Sequence, residues 1–107
     1  AAATEALLGC AFPTLVSHLE SLFTKGMTWE NMNEWHIDHI VPCAAFDLNV
    51  AEQQHICFWY RNLQPMWAEK NLSKGDKWLL RDKQELCAAY ALSHPDTGEN
   101  STTKLAQ

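Results

Sequence analysis

The chain has 107 residues, room for one small domain and no second core. Hydrophobic residues make up 47% and aromatics 10%, with five Trp, which excludes a disordered segment. No apolar run approaches the roughly 18–20 residues of a membrane helix, and Ala1-Ala2-Ala3-Thr4-Glu5 lacks the basic flank of a secretory signal. The net charge of −5 argues against a nucleic-acid partner until it is located along the chain. Residues 1–60 hold one Lys against seven acids, a balance of −6. Residues 61–83 hold Arg61, Lys70, Lys74, Lys77, Arg81 and Lys83 against Glu69, Asp76 and Asp82, a balance of +3. The absence of an initiator Met reads as a processed product or an excised piece of something larger.

Phe12, Leu15, Val16, Leu19, Leu22 and Phe23 recur at helical spacing, with Pro13 suited to a first turn and Gly26 to a helix end. This predicts a helix over about 13–24. His18 within it reads as a surface histidine. Residues 28–33 read as a connecting loop anchored by Trp29. The bulky and β-branched run 35–41, closed by Pro42, predicts a short strand. Asp47-Leu48-Asn49 reads as a turn, with Asn49 capping a helix at about 50–58; His55 there reads as structural or exposed. A second short strand follows over 63–67, irregular or at an edge because of Pro65. Helical pattern then resumes: Lys70, Lys74, Lys77 and Arg81 share one face if the helix is continuous. A break at Gly75 gives two helices instead, about 68–75 and 77–91. Residues 93–107 read as a loose tail. Cys10, Cys43, Cys57 and Cys87 contain no C-x-x-C pair, so the pattern predicts reduced packing thiols and no structural zinc.

The chemistry concentrates in three places: Trp35-His36-Ile37-Asp38-His39-Ile40-Val41-Pro42, Asn62-Leu63-Gln64-Pro65, and Glu69-Lys70-Asn71-Leu72-Ser73-Lys74. Phosphodiester hydrolysis needs an activated water, charge stabilisation on the transition state, and help for the leaving oxygen. A hard divalent cation supplies the last two and takes oxygen ligands. Asp38, Asn71 and Glu69 offer such oxygens, and His39 titrates in the range a general base needs. Adjacent strand residues point to opposite faces, so Asp38 and His39 reach one phosphate only if the strand bends or bulges between them. Each residue alone has a plainer reading: a surface Asp–His pair, a turn Asn, a helix-capping Asn, a solvated basic face. Trp59 and Tyr60, beside Arg61, read as core packing ahead of base stacking.

Taken together and in this order, the residues of about 35–78 resemble the HNH endonucleases, most nearly those of phages and mobile introns. The segment from Gly9-Cys10 to Glu30-Asn31 is similar to the helical lead-in of that group. The resemblance implies an α+β fold: a ββα-metal core of two short antiparallel strands and a helix, flanked by N- and C-terminal helices in a single domain over 1–107. Its parts are a lead-in over about 9–31, the core over about 35–78, a C-terminal helix over about 77–91 and the tail. It implies a metal-dependent DNA endonuclease, with Asp38 and Asn71 as metal ligands, Glu69 as a further acidic ligand and His39 as general base. Asn62 ties down the loop between the strands, and Lys74 is the cation near phosphate. The metal expected is Mg2+, with Mn2+ an alternative, and the partner is double-stranded DNA held by Lys70, Lys74, Lys77, Arg81, Arg61 and His36. His36, two before Asp38 and so on the same strand face, reads as touching substrate or metal or else as packing on Trp35; Cys43 reads as packing. Zinc-binding C-x-x-C pairs and separate DNA-recognition modules, common in the family, are missing from the sequence. The expected setting is intracellular, in host cytoplasm or nucleoid, with monomer or homodimer left open. Two alternatives stand beside the enzyme: a non-catalytic nucleic-acid-binding module, and the nuclease piece of a larger toxin or mobile-element protein.

Overall fold

The computed structural model describes residues 2–95. The order of elements is α1 (Ala2–Leu8), α2 (Phe12–Ser21), β1 (Trp35–His39), α3 (Ala51–Phe58), β2 (Leu63–Trp67), α4 (Ala68–Lys74) and α5 (Leu80–Ser93). Single 3-10 turns lie at Trp29–Asn31, Cys43–Ala45 and Tyr60–Asn62. The fold is α+β, built on one two-stranded antiparallel sheet.

The two strands pair from Trp35↔Trp67 to His39↔Leu63. Flanking bonds, Ala68 N–H to Glu34 O (3.0 Å) and Ile40 N–H to Asn62 O (2.8 Å), place the hydrogen-bonded pairs at even positions of β1. Pro65, opposite Ile37, therefore falls at a pair that exchanges no hydrogen bonds, and its missing N–H costs the ladder nothing. The strand expected over 35–41 stops at His39 because the Asn62 side chain takes over the pairing of Val41.

Helix α4 packs on both strands. Gly75, at φ +53° and ψ −131°, ends it in a conformation that side-chain-bearing residues avoid, so of the basic run Lys70 and Lys74 lie on α4, Lys77 in the link and Arg81 on α5. α5 then begins at Leu80, later than the 77 expected, and runs to Ser93, past the 91 expected; of the tail expected over 93–107, residues 96–107 lie outside those described. Helix α2 also ends early, at Ser21, where Leu22 and Phe23 make tight bonds to Leu19 and Glu20 carbonyls. Asn49 does not cap α3: its N–H donates to Asp47 Oδ1 (3.1 Å) in the preceding turn, and Val50 flanks the helix. The helix α1 has no counterpart in the periodicity, since its seven residues span under two turns of apolar repeat.

Burial is divided between two clusters. Val41, Phe46, Ile56, Cys57, Trp59 and Tyr90 form one, joining the segment between the strands to α5. At the other end of the sheet Trp35 is fully buried, with the Phe23 and Trp29 rings 5.2 and 5.5 Å away, and its Nε1–H donates to Thr28 O (2.8 Å). His18, expected at the surface, is half-buried and pairs through Nε2 with Leu63 O (2.8 Å), linking α2 to β2. No described helix is long and apolar enough to cross a membrane.

Candidate functional site

Side chains alternate along β1, so His36 and Asp38 share one face while Trp35, Ile37 and His39 share the other. The first face lies under α4. Asn71 Nδ2 is 3.1 Å from His36 Nδ1, and Lys74 Nζ is 3.3 Å from Asp38 Oδ2. Lys74 is three positions after Asn71, about one helical turn, and Asp38 two positions after His36, a step of about 6.6–6.8 Å along a strand. Helix and strand thus run in the same direction, and the Asp38 carboxylate and Asn71 carboxamide share one small surface.

The Asp38 side chain is only 10% exposed. Gln64 Nε2–H donates to its Oδ2 (3.0 Å), the same oxygen that faces Lys74, so among the described residues Oδ1 receives no donor. Lys74 also donates to His39 O (2.8 Å), pinning the end of β1. With its amide nitrogen on His36, Asn71 keeps its carbonyl oxygen for another partner. Two hard oxygens on one surface suit Mg2+ or Mn2+. Glu69 does not join them: it is exposed, and two residues before Asn71 it is rotated by about 200° around the helix. It lines a cleft with Glu34, Trp67 and Ala68 at the Trp35 end of the sheet.

His39 lies on the opposite face. The register continues to His39↔Leu63 without a bulge, so the bend that would aim Asp38 and His39 at one point is absent. Its half-buried ring meets Phe58 edge-on at 5.3 Å, and Nε2 is 3.8 Å from Cys43 Sγ. Burial lowers the imidazole pKa below 6.5; Asp38 opposes this and Lys74 adds to it, so the ring is neutral at physiological pH. Cys43 Sγ in turn is 3.3 Å from Cys57 Sγ. Burial, with the Cys43 contact, pushes the Cys57 thiol up to about 12, so unliganded it is protonated and a poor nucleophile.

Asn62 is fully buried and makes three main-chain contacts. Its Oδ1 accepts Val41 N–H (2.9 Å), and its Nδ2 donates to Val41 O (3.0 Å) and Cys57 O (2.8 Å). One amide thereby clamps both ends of the segment between the strands, directly beyond His39.

The expected nucleic-acid contacts do not form a single stripe. Lys70 lines a cleft with Lys25, Met66 and Trp67, whereas Lys74 and Lys77 line another with Gln64, Trp78 and Asp82. Arg61 lies 5.0 Å over the Trp59 ring, and Trp59 itself is core. Lys83 donates to Ala45 O (2.6 Å) and is structural.

The chain is 39% identical over 75 residues to Uncharacterized protein L246 of Acanthamoeba polyphaga mimivirus, covering 69% of this chain and 33% of that protein. It is 42% identical over 62 residues to Uncharacterized protein L426 of the same virus, covering 57% and 27% respectively. The chain therefore spans about a third of the length of the curated relatives it matches. No family model and no solved structure matches it.

Proposed function

We propose that this domain is a metal-dependent endonuclease of the HNH type, hydrolysing phosphodiester bonds of DNA. The observation that carries the reading is α4 laid across β1, with an oxygen-rich pair, Asp38 and Asn71, and the Lys74 ammonium on one surface. Asp38 Oδ1 and the Asn71 carbonyl oxygen are the donors that would hold the cation. When bound, a divalent ion supplies charge for the transition state and for the departing oxygen. Lys74, displaced from Asp38, is the cation for a non-bridging phosphate oxygen. His39, neutral and half-exposed at the last position of β1, takes the proton from the attacking water; Asn62 holds the backbone that follows it. The reading demands one movement: the ring must turn round the end of β1, away from Cys43, toward the Asp38 face. Nδ1 has no partner among the described residues to resist that.

The unbulged strand favours a second reading, a non-catalytic module that binds nucleic acid and retains the fold. A supercoiled plasmid separates the two. Nicking or linearisation with Mg2+, abolished by EDTA and restored by added Mg2+ or Mn2+, is expected of the nuclease. An intact supercoil at all metal concentrations, or cleavage undiminished in chelator, rejects it.

A further inference from the structure

On the face of β1 opposite Asp38, three side chains from separate parts of the fold converge. His39 ends β1, Cys43 opens the 3-10 turn after it, and Cys57 sits in the last turn of α3. His39 Nε2 to Cys43 Sγ is 3.8 Å, Cys43 Sγ to Cys57 Sγ is 3.3 Å, and all three atoms lie within 4.8 Å of one another. Tetrahedral zinc, with bonds of about 2.3 Å to sulfur and about 2.0–2.1 Å to nitrogen, places its ligand atoms about 3.5–3.8 Å apart. The cluster meets that spacing after shifts of a few tenths of an ångström between the sulfurs and a modest closure between His39 and Cys57.

We propose that His39, Cys43 and Cys57 form a binding site for a thiophilic divalent cation such as Zn2+, distinct from the oxygen site at Asp38 and Asn71. Two sulfurs and one imidazole select a soft or borderline ion over Mg2+. A coordinating thiol is deprotonated outright by the ion, so the protonated state of the free thiols does not bar entry. Three protein ligands leave a fourth position for water, reached from the half-exposed His39 and Cys43 side, whereas Cys57 is fully buried behind them. The site is well anchored: Asn62 bonds to the carbonyl of Cys57 and to both main-chain groups of Val41, between His39 and Cys43. One consequence rests on the nuclease reading: zinc holding His39 Nε2 keeps the ring on the wrong side of β1, so the soft cation inhibits cleavage supported by Mg2+.

The test uses the whole chain, kept reduced with a phosphine, and Co2+ as a spectroscopic stand-in for Zn2+. One equivalent of Co2+ should produce near-ultraviolet thiolate charge-transfer bands and visible bands of tetrahedral strength, all bleached by one equivalent of Zn2+. Cys43→Ala and His39→Ala should each weaken uptake by tenfold or more, and Cys10→Ser should leave it unchanged. Cys43 is half-buried, so its variant is the main test; Cys57→Ala is read only if its circular dichroism matches the parent. Absence of thiolate bands, or bands that survive Cys43→Ala, overturns the site. In the plasmid assay, Zn2+ at site-filling concentration should slow Mg2+-supported cleavage by at least tenfold, with Cys43→Ala relieving the inhibition. Cobalt bands without any Mg2+ cleavage would leave the site standing and remove the nuclease, so the two proposals fail separately.

Discussion

Asn62 shows how much one side chain can hold in place. Its truncation to Ala strands the Val41 N–H, the Val41 carbonyl and the Cys57 carbonyl, all inside the fold. Each unsatisfied buried group costs about 1–3 kcal/mol, against a total of about 5–15 kcal/mol for an ordinary domain. Asn62→Ala is therefore expected to lower unfolding free energy by about 3 kcal/mol or more in urea titrations; a loss below about 1 kcal/mol means the segment is held by something else. His39 makes a second prediction at this scale. Replacing it with Ala should cut plasmid cleavage by about 10²–10⁴-fold, the usual worth of a general base, with the fold retained. Because burial lowers its pKa in the resting protein, the acid limb of kcat/KM, which reports the free enzyme, should lie below pH 6.5. The same shift has a stability sign. The folded ring resists a proton that the unfolded chain accepts, so stability is full above pH 6.5 and declines as pH falls through the lowered value. His39→Gln should flatten that decline in thermal melts; an acid limb above pH 6.5 assigns the titration to another group.

Among the elements, two glycines break helices for different reasons. Gly75 has φ +53° and open space where a Cβ would stand, so its need is purely conformational. Gly9, after α1, has φ +72° and would also press a Cβ to 2.9 Å from Trp59 Cδ1, a rigid core ring. Gly75→Ala should cost about 1–3 kcal/mol, the penalty of a positive-φ, negative-ψ backbone that only glycine adopts readily, and Gly9→Ala distinctly more, because Trp59 cannot yield without disturbing Tyr90 and the core. Equal costs in parallel denaturation curves would show that the Trp59 contact is soft. The strand pair, the helix after it and the break at Gly75 are legible from local pattern, since alternation, β-branching and glycine act within a few residues. α1 and the cap of α3 are not. The first is too short for periodicity, and the second is decided by Asp47 and Gln53 holding the turn that Asn49 joins.

Over the whole molecule, charge is used more for structure than the sequence suggests. Lys74 is tied to Asp38 and His39 O, Lys83 to Ala45 O, and Arg61 lies over Trp59, while among the described residues Lys25, Lys70, Lys77 and Arg81 remain exposed without such ties. About four phosphates can be neutralised by these without breaking internal contacts. Their share of duplex affinity should then fall with log salt at a slope of about −4 or shallower, at about −0.9 per phosphate. A slope steeper than about −5 in fluorescence anisotropy titrations would reveal a larger basic surface.

The sequence by itself determined where the strands run, that a carboxylate and an imidazole adjoin at the end of the first, and that an amide and an ammonium follow on the next helix. Those are local facts, set by residue type and by periods of two and 3.6. Only the tertiary structure decided which of them meet. Unbroken pairing sends Asp38 and His39 to opposite faces; α4 brings Asn71 and Lys74 to the first of these and leaves Glu69 outside. On the second, Cys43 and Cys57 are 14 residues apart and match no metal-binding spacing, yet the Asn62 clamp folds the intervening segment until their sulfurs touch beside His39. Proximity of that kind comes from closing a loop around a packed core, and no period within the chain encodes it.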